Sequence, residues 1–216
     1  TTHTLHCHAA TVLNISEDHM DRYVDIDDYA NAKARIFQSC DLQVLNRQDA
    51  RVAAMQQPQK SVIWFGLDVP ENPQDYGYQV LHHTLLQGET VLCAVGDLPV
   101  HGLHNAANAL SACALVQAVG IDSTQAISAL MKFKGLPHRV EYVRTIRQID
   151  FYDDSKGTNV GATVAALEGI SQPVILIAGG DGKGQDFTPL KTAVAQHCRA
   201  VILIGRDAKI IRHTLQ

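Results

Sequence analysis

From Ile149 onward, short apolar runs and helical stretches take turns along the chain. Ile149-Asp150-Phe151-Tyr152 reads as a strand that runs into a polar turn, and residues 160–167 read as a helix. Residues 174–178 form a second strand with a glycine-rich exit. Residues 189–197 form a helix and residues 200–204 a third strand. Strand-helix-strand order of this kind predicts right-handed parallel units and a Rossmann-like sheet, because a parallel connection has to cross over and a helix is the usual crossover.

The earlier part is also α/β but less regular. Val12-Leu13-Asn14-Ile15, Leu42 to Leu45 and Val62 to Phe65 are apolar runs short enough to be buried strands. Residues 27–38 predict a helix capped by Asp27 or Asp28, with Tyr29, Ile36 and Phe37 on one face. Tyr78 to Leu86 and Thr90 to Val95, separated by Gln87-Gly88-Glu89, predict an antiparallel hairpin. An alanine-rich helix over 104–119 ends at Gly120, and Ser123 is expected to cap another running to Phe133. Gly135-Leu136-Pro137 then breaks the chain, which puts a domain boundary there, with residues 1–135 on one side and 136–216 on the other.

Composition narrows the function classes. A net charge of −4 argues against a strongly basic nucleic-acid surface. No apolar run reaches the roughly 18 residues of a membrane span. The five cysteines are scattered with no CxxC pair, which fits free thiols in a reducing cytoplasm. The chain starts at Thr1 without Met and stops at Gln216 in what reads as mid-helix, so it is expected to be a piece of a longer protein.

Ligands in open α/β sheets bind beyond the carboxyl ends of the strands. Four segments fall at such ends: residues 17–23, residues 153–159, residues 179–184, and the shorter Gly205-Arg206-Asp207, which reads as a solvated turn. The glycine-rich segment 179–184 fits neither common phosphate fingerprint. A Walker A loop needs glycine where Ile177 stands, and the GxGxxG spacing fails, which argues against a dinucleotide oxidoreductase. Flexible backbone beside Lys183 still suits an anionic group. Helical spacing places Lys33 beside Tyr29, Ile36 and Phe37. There it either snorkels to solvent or is desolvated, and a neutral amine could react with carbon dioxide to give a carbamate, a hard oxygen ligand suited to Mg²⁺. His19 follows two acids at a strand exit and could join such a metal site. His3, His6, Cys7 and His8 form a soft-ligand cluster whose spacing matches no zinc template.

Taken together and in order, these segments resemble the Mur ligase family. The resemblance is carried by Leu13-Asn14 with Glu17 to Tyr23, by Tyr29 to Ile36 around Lys33, and by Gly102-Leu103-His104-Asn105 with Asn108. It continues through Gly135 to Glu141, Asp154 to Asn159, and Gly179 to Gly184 with Asp186-Phe187. It implies part of a central ATPase domain, mainly parallel sheet plus an antiparallel hairpin, followed by part of a Rossmann-like C-terminal domain.

The implied activity is ATP-dependent amide formation through an acyl phosphate, adding D-glutamate to UDP-N-acetylmuramoyl-L-alanine. That would make the parent a bacterial cytoplasmic, monomeric enzyme of peptidoglycan synthesis, serving cell shape and division, with ATP and Mg²⁺ as cofactors. The resemblance implies His19 and a carbamylated Lys33 at a magnesium ion, and Asn105 and Asn108 at adenine. It implies Arg139 and Asp154 at phosphate and ribose, with His138 beside them. Thr158 and Lys183 are implied at the D-glutamate carboxylate, with Lys156 as a supporting charge. His19, Lys33, Arg139 and Lys183 are thereby the catalytic candidates. The family's Gly-Thr-Asn-Gly-Lys phosphate loop does not occur in this chain, so the segment alone is expected to be inactive. The alternatives are another Mur ligase, a folylpolyglutamate synthetase-type ligase, or a non-catalytic nucleotide-binding module.

Overall fold

The structure is a computed structural model that describes residues 5–17, 22–100 and 102–216. The chain divides into two compact units: residues 1–15 with 24–133, and residues 16–23 with 134–216.

The first unit is built on a six-stranded sheet of β1 (Cys7–Val12), β2 (Cys40–Asn46), β3 (Ser61–Phe65), β4 (Tyr76–Gln79), β5 (Thr84–Gln87) and β6 (Thr90–Ala94), which are neighbours in chain order. β1 to β4 run parallel, while β4, β5 and β6 form an antiparallel meander. Successive strand residues point to opposite faces, so adjacent residues enter different cores. Val44, Ile63, Phe65, Tyr76, Leu85 and the helix residues Leu110 and Cys113 form one core. Leu45 joins Ala10, Val12, Phe37, Cys40 and Val52 in another. The larger core is covered by α3 (Leu103–Gln117) and α4 (Ser123–Leu130), whose alanines let them approach the sheet closely.

Several local expectations are corrected. The first strand is Cys7–Val12 rather than residues 12–15, because it is residues 7–12 that find register against β2, from Cys7 opposite Cys40 to Val12 opposite Leu45. Residues 80–83 turn, with His83 at φ 51°, and so split the expected first hairpin strand into β4 and β5. The cap of α1 (Ile26–Ala34) is Asp25, whose carboxylate accepts from the Asp27 and Asp28 amides, and a 3₁₀ turn at Arg35–Phe37 follows. The cap of α4 is Asp122. Ser123 is buried instead, sharing a hydrogen bond with the Tyr76 hydroxyl and donating to Gln87. Gly120 does follow α3, at φ 83°.

In the second unit β9 (Val174–Gly179) and β10 (Cys198–Ile204) pair in parallel. They are connected through α6 (Leu190–His197), with α5 (Val160–Glu168) before and α7 (Ala208–Leu215) after. The strand at 149–153, β8, does not join them. It pairs antiparallel with β7 (Glu141–Ile146) across a two-residue turn, Arg147-Gln148, in which both residues have positive φ. That geometry matches the right-handed twist of a tight hairpin, and the pairing satisfies the β8 edge that the parallel arrangement would have used.

Candidate functional site

In the first unit, α1 carries Lys33 on its exposed side, with the ammonium 4.8 Å from the centre of the Tyr29 ring. Of the two environments open to it, solvent is the one observed, with the ammonium over the ring of the buried Tyr29. A carbamate would require the amine in its neutral form, and it would then be an oxygen donor of the kind Mg²⁺ accepts. His19, the other expected metal ligand, lies outside the described residues, as does His3. At the start of α3 the Asn108 amide donates to Asn105 Oδ1 at 3.3 Å, so these two side chains form one polar edge. Gly102, at φ 93°, lets the chain enter this helix with no side-chain cap on its first amides.

The discounted histidine segment has a structural role. His6 Nε2 and His8 Nδ1 each lie 3.1 Å from a different oxygen of Asp41, and His8 Nε2 donates to the Ala118 carbonyl. These contacts tie β1 to β2 and to the end of α3.

The second unit gathers more of the expected residues. The Val140 amide donates to Asp154 Oδ1, and the Lys156 amide donates to the His138 carbonyl, so segments 138–141 and 153–157 lie against each other. Gly157 turns tightly over Asp154: a Cβ there would sit 2.6 Å from its carboxylate. Arg139, Lys156, Thr158 and Lys183 are all exposed.

Residues absent from the sequence-based site turn out to organise it. Gln185 Oε1 accepts from the Val160 amide, while its Nε2 donates to the carbonyls of Gly182 and Thr158. Gln185 thereby joins the Thr158 segment to the glycine loop. Asp207 accepts from the Gly182 amide at 2.6 Å, and Arg206 pairs with Asp181 at 2.7 Å. Gly205-Arg206-Asp207 is thus a turn, exposed at Gly205 and Arg206, that also braces the glycine loop. The available signal was topological: it follows β10, and β10 neighbours the strand that leads into the loop.

His138 Nδ1 and Asp153 Oδ2 are 2.7 Å apart, and Glu141 accepts from the His138 amide. The ligand atoms of these three residues lie within 4.8 Å of one another, close enough to share a cation, although here they satisfy one another. The Asp153 hydrogen bond and charge raise His138 above its ordinary value of 6.5. The bond from His138, and then that from Ser155, hold Asp153 down to about 2. The raised histidine supports the fold fully below pH 6.5, and that support is lost as pH rises through its folded value. The depressed aspartate supports it above pH 3.8, and that support is lost as pH falls through about 2. The pair is therefore complete between these limits, though solvent exposure keeps its contribution small. Asp153→Asn is expected to return His138 toward its ordinary titration, read from the imidazole proton shifts by NMR. An unchanged His138 midpoint would disprove the pairing.

Two family models match the chain. Residues 1–116 match the Mur ligase middle domain and residues 138–216 match the Mur ligase glutamate ligase domain. The chain belongs to the Mur ligase family. Its relatives include the UDP-N-acetylmuramoylalanine–D-glutamate ligases of Methylobacillus flagellatus, 56% identical over 220 residues, and Aromatoleum aromaticum, 54% identical. Each match covers 100% of this chain but 48% and 47% of the relative, so the chain spans about half the length of these proteins. Among solved structures, MurF from Acinetobacter baumannii aligns with a TM-score of 0.75 at 18% identity, over 94% of this chain and 48% of that one. A pseudomurein peptide ligase type C from Methanothermus fervidus also aligns at 0.75 and 18%, over 97% of this chain and 51% of that one. At that identity the likeness concerns the fold, the α/β architecture of mostly parallel strands with an antiparallel addition.

Proposed function

We propose that this Mur ligase segment is the nucleotide- and amino-acid-handling part of an ATP-dependent ligase that adds D-glutamate to UDP-N-acetylmuramoyl-L-alanine. The observation that carries the reading is Gln185, which joins the Thr158 turn to the Gly182-Lys183 loop and so places a hydroxyl and an ammonium on linked segments. A hydroxyl donor and a fixed cation are what a carboxylate needs for orientation. The names of the relatives at 50–56% identity along the chain support the same substrate.

In this reading the first unit is part of the central ATP-binding domain. Asn105 and Asn108 offer amide donors and acceptors to the adenine edge. Lys33, as a carbamate, would offer an oxygen ligand to Mg²⁺, which when bound would neutralise charge on the transferring phosphoryl group; His19 is the second ligand that the family resemblance implies. The second unit is part of the C-terminal domain. Arg139 sits against the phosphates, where negative charge builds as the γ-phosphoryl moves to the carboxylate of the nucleotide substrate. Asp154, steadied by the Val140 amide, accepts from the ribose hydroxyls. His138 buttresses this turn through Asp153. Thr158 and Lys183 hold the D-glutamate carboxylate so that its amine attacks the acyl phosphate, with Lys156 adding positive charge nearby. The work of these residues is positioning and charge stabilisation, supplied before the reaction begins.

The test uses the full-length protein that carries this segment. With UDP-N-acetylmuramoyl-L-alanine and ATP, phosphate release is expected to require D-glutamate and to fall at least tenfold with L-glutamate. Equal turnover with L-glutamate or another amino acid would point to a different ligase. Nucleotide binding with no amide product would point to a non-catalytic module.

A further inference from the structure

Cys7 and Cys40 are register partners in the parallel pair β1–β2, and the Cys7 amide donates to the carbonyl of Ser39, next to Cys40. Partners in a parallel ladder project from the same face, and neighbouring strands lie about 4.8 Å apart. That separation falls inside the range of roughly 4.4–6.8 Å between the Cα atoms of disulfide-bonded cysteines. Both side chains belong to the smaller core, with Cys40 buried at 4% exposure and Cys7 partly open to solvent. Among the described strands β1 stands at the end of the sheet order, and Cys7 is its first residue.

A third group completes the arrangement. Lys60 Nζ donates to the Phe37 and Gln38 carbonyls, which fix it 3.9 Å from the Cys40 sulfur. The thiol of Cys40 meanwhile points to the Phe37 carbonyl. Burial pushes the Cys40 thiol up, and the ammonium works against that rise. A cation at this distance favours the thiolate form at the moment of attack. None of these three residues has a part in the ligase reading.

We propose that Cys7 and Cys40 are a reversible oxidation site, which closes to an intramolecular disulfide on exposure to a small-molecule disulfide such as oxidised glutathione. Cys7, the accessible thiol, attacks one sulfur of the oxidant and forms a mixed disulfide, and the first glutathione leaves with the Cys7 proton. The Cys40 thiolate then attacks the Cys7 sulfur and expels the second glutathione, which takes up the Cys40 proton. Two protein thiols are oxidised and one external disulfide is reduced, so the exchange balances. Closing the bond encloses α1, with Lys33, in a covalent loop between β1 and β2. Thiol–disulfide exchange runs in both directions, so an excess of dithiol reductant is expected to reopen the bond.

The experiment treats the full-length protein that carries this segment with oxidised glutathione, alkylates the remaining thiols in denaturant and maps peptides without reduction. Most of the chain is expected to carry a peptide linked through Cys7 and Cys40, removed by dithiothreitol. In Cys40→Ser, glutathione is expected to stay trapped on Cys7, and in Cys7→Ser, Cys40 is expected to stay free. Oxidation in urea is expected to lose the preference for this pair. Full alkylation of both cysteines in the treated wild type, a persistent glutathione adduct on its Cys7, or links from Cys7 to other cysteines would overturn the proposal.

Discussion

Gly179→Ala is expected to destabilise the second unit by about 2–6 kcal/mol, the sum of a forbidden backbone conformation and a hard contact. Gly179 ends β9 at φ 140°, and a Cβ there would lie 1.8 Å from the carbonyl oxygen of Ile204 on β10. Neither partner can yield cheaply. Ile204 is Gly179's own ladder partner, and its carbonyl accepts from the Gly180 amide at 3.0 Å. Moving it would part β9 from β10 at the end that carries the glycine loop. Two neighbours provide internal controls. Gly180, at φ 102°, and Gly184, at φ 74°, have nothing within 4 Å of a would-be Cβ, so alanine there meets conformational strain alone, about 1–3 kcal/mol. Urea unfolding followed by hydrogen exchange at the β9 and β10 amides would rank the three. A Gly179→Ala protein as stable as Gly184→Ala would mean that β9 and β10 do not approach as described.

The same region shows what a sequence can and cannot reveal. Leu42 to Leu45 and Val62 to Phe65 were legible because a strand covered on both faces is a mostly apolar run, broken here only by the buried Gln43; Val174 to Ala178 was legible as an apolar run although Ile175 and Ile177 are exposed. β1 was misplaced because its burial is uneven, with His8 exposed and only Ala10 and Val12 buried, while the more apolar Leu13 lies beyond the ladder, its carbonyl accepting from the Asn46 side chain. Two turns gave no warning. Val80 to His83 contains no glycine or proline, and Arg147-Gln148 adopts positive φ where Asn-Gly would be usual. The candidate site divides in the same way. Asp154, Thr158 and Lys183 stand out as polar residues at strand exits, a local signal. Gln185 and Asp207 act over 25 residues or more, through amides and carbonyls that every residue possesses, so no local pattern distinguishes them. The Cys7–Cys40 pair is hidden for the same reason, since its register exists only once β1 is correctly placed.

Lys33→Arg and Lys33→Ala are expected to be equally damaging in the full-length ligase, each lowering turnover on the order of a hundredfold or more. The argument rests on what the two variants share. Lys33 is exposed and lies over the Tyr29 ring, a place where a lysine that served only as a cation could be replaced by arginine, which stacks on aromatic faces at least as well. If the ammonium itself were the working group, Lys33→Arg would keep most of the activity. A carbamate reverses the sign of the side chain, making it a long carboxylate and a ligand for a hard cation. Arginine stays protonated across the accessible pH range and cannot form one. Wild-type turnover is accordingly expected to rise with added bicarbonate, while both variants stay flat. A carbon-13 carbamate resonance should appear on the wild-type protein alone when labelled bicarbonate is supplied. Near-normal turnover in Lys33→Arg, together with bicarbonate independence of the wild type, would assign Lys33 to surface packing on α1.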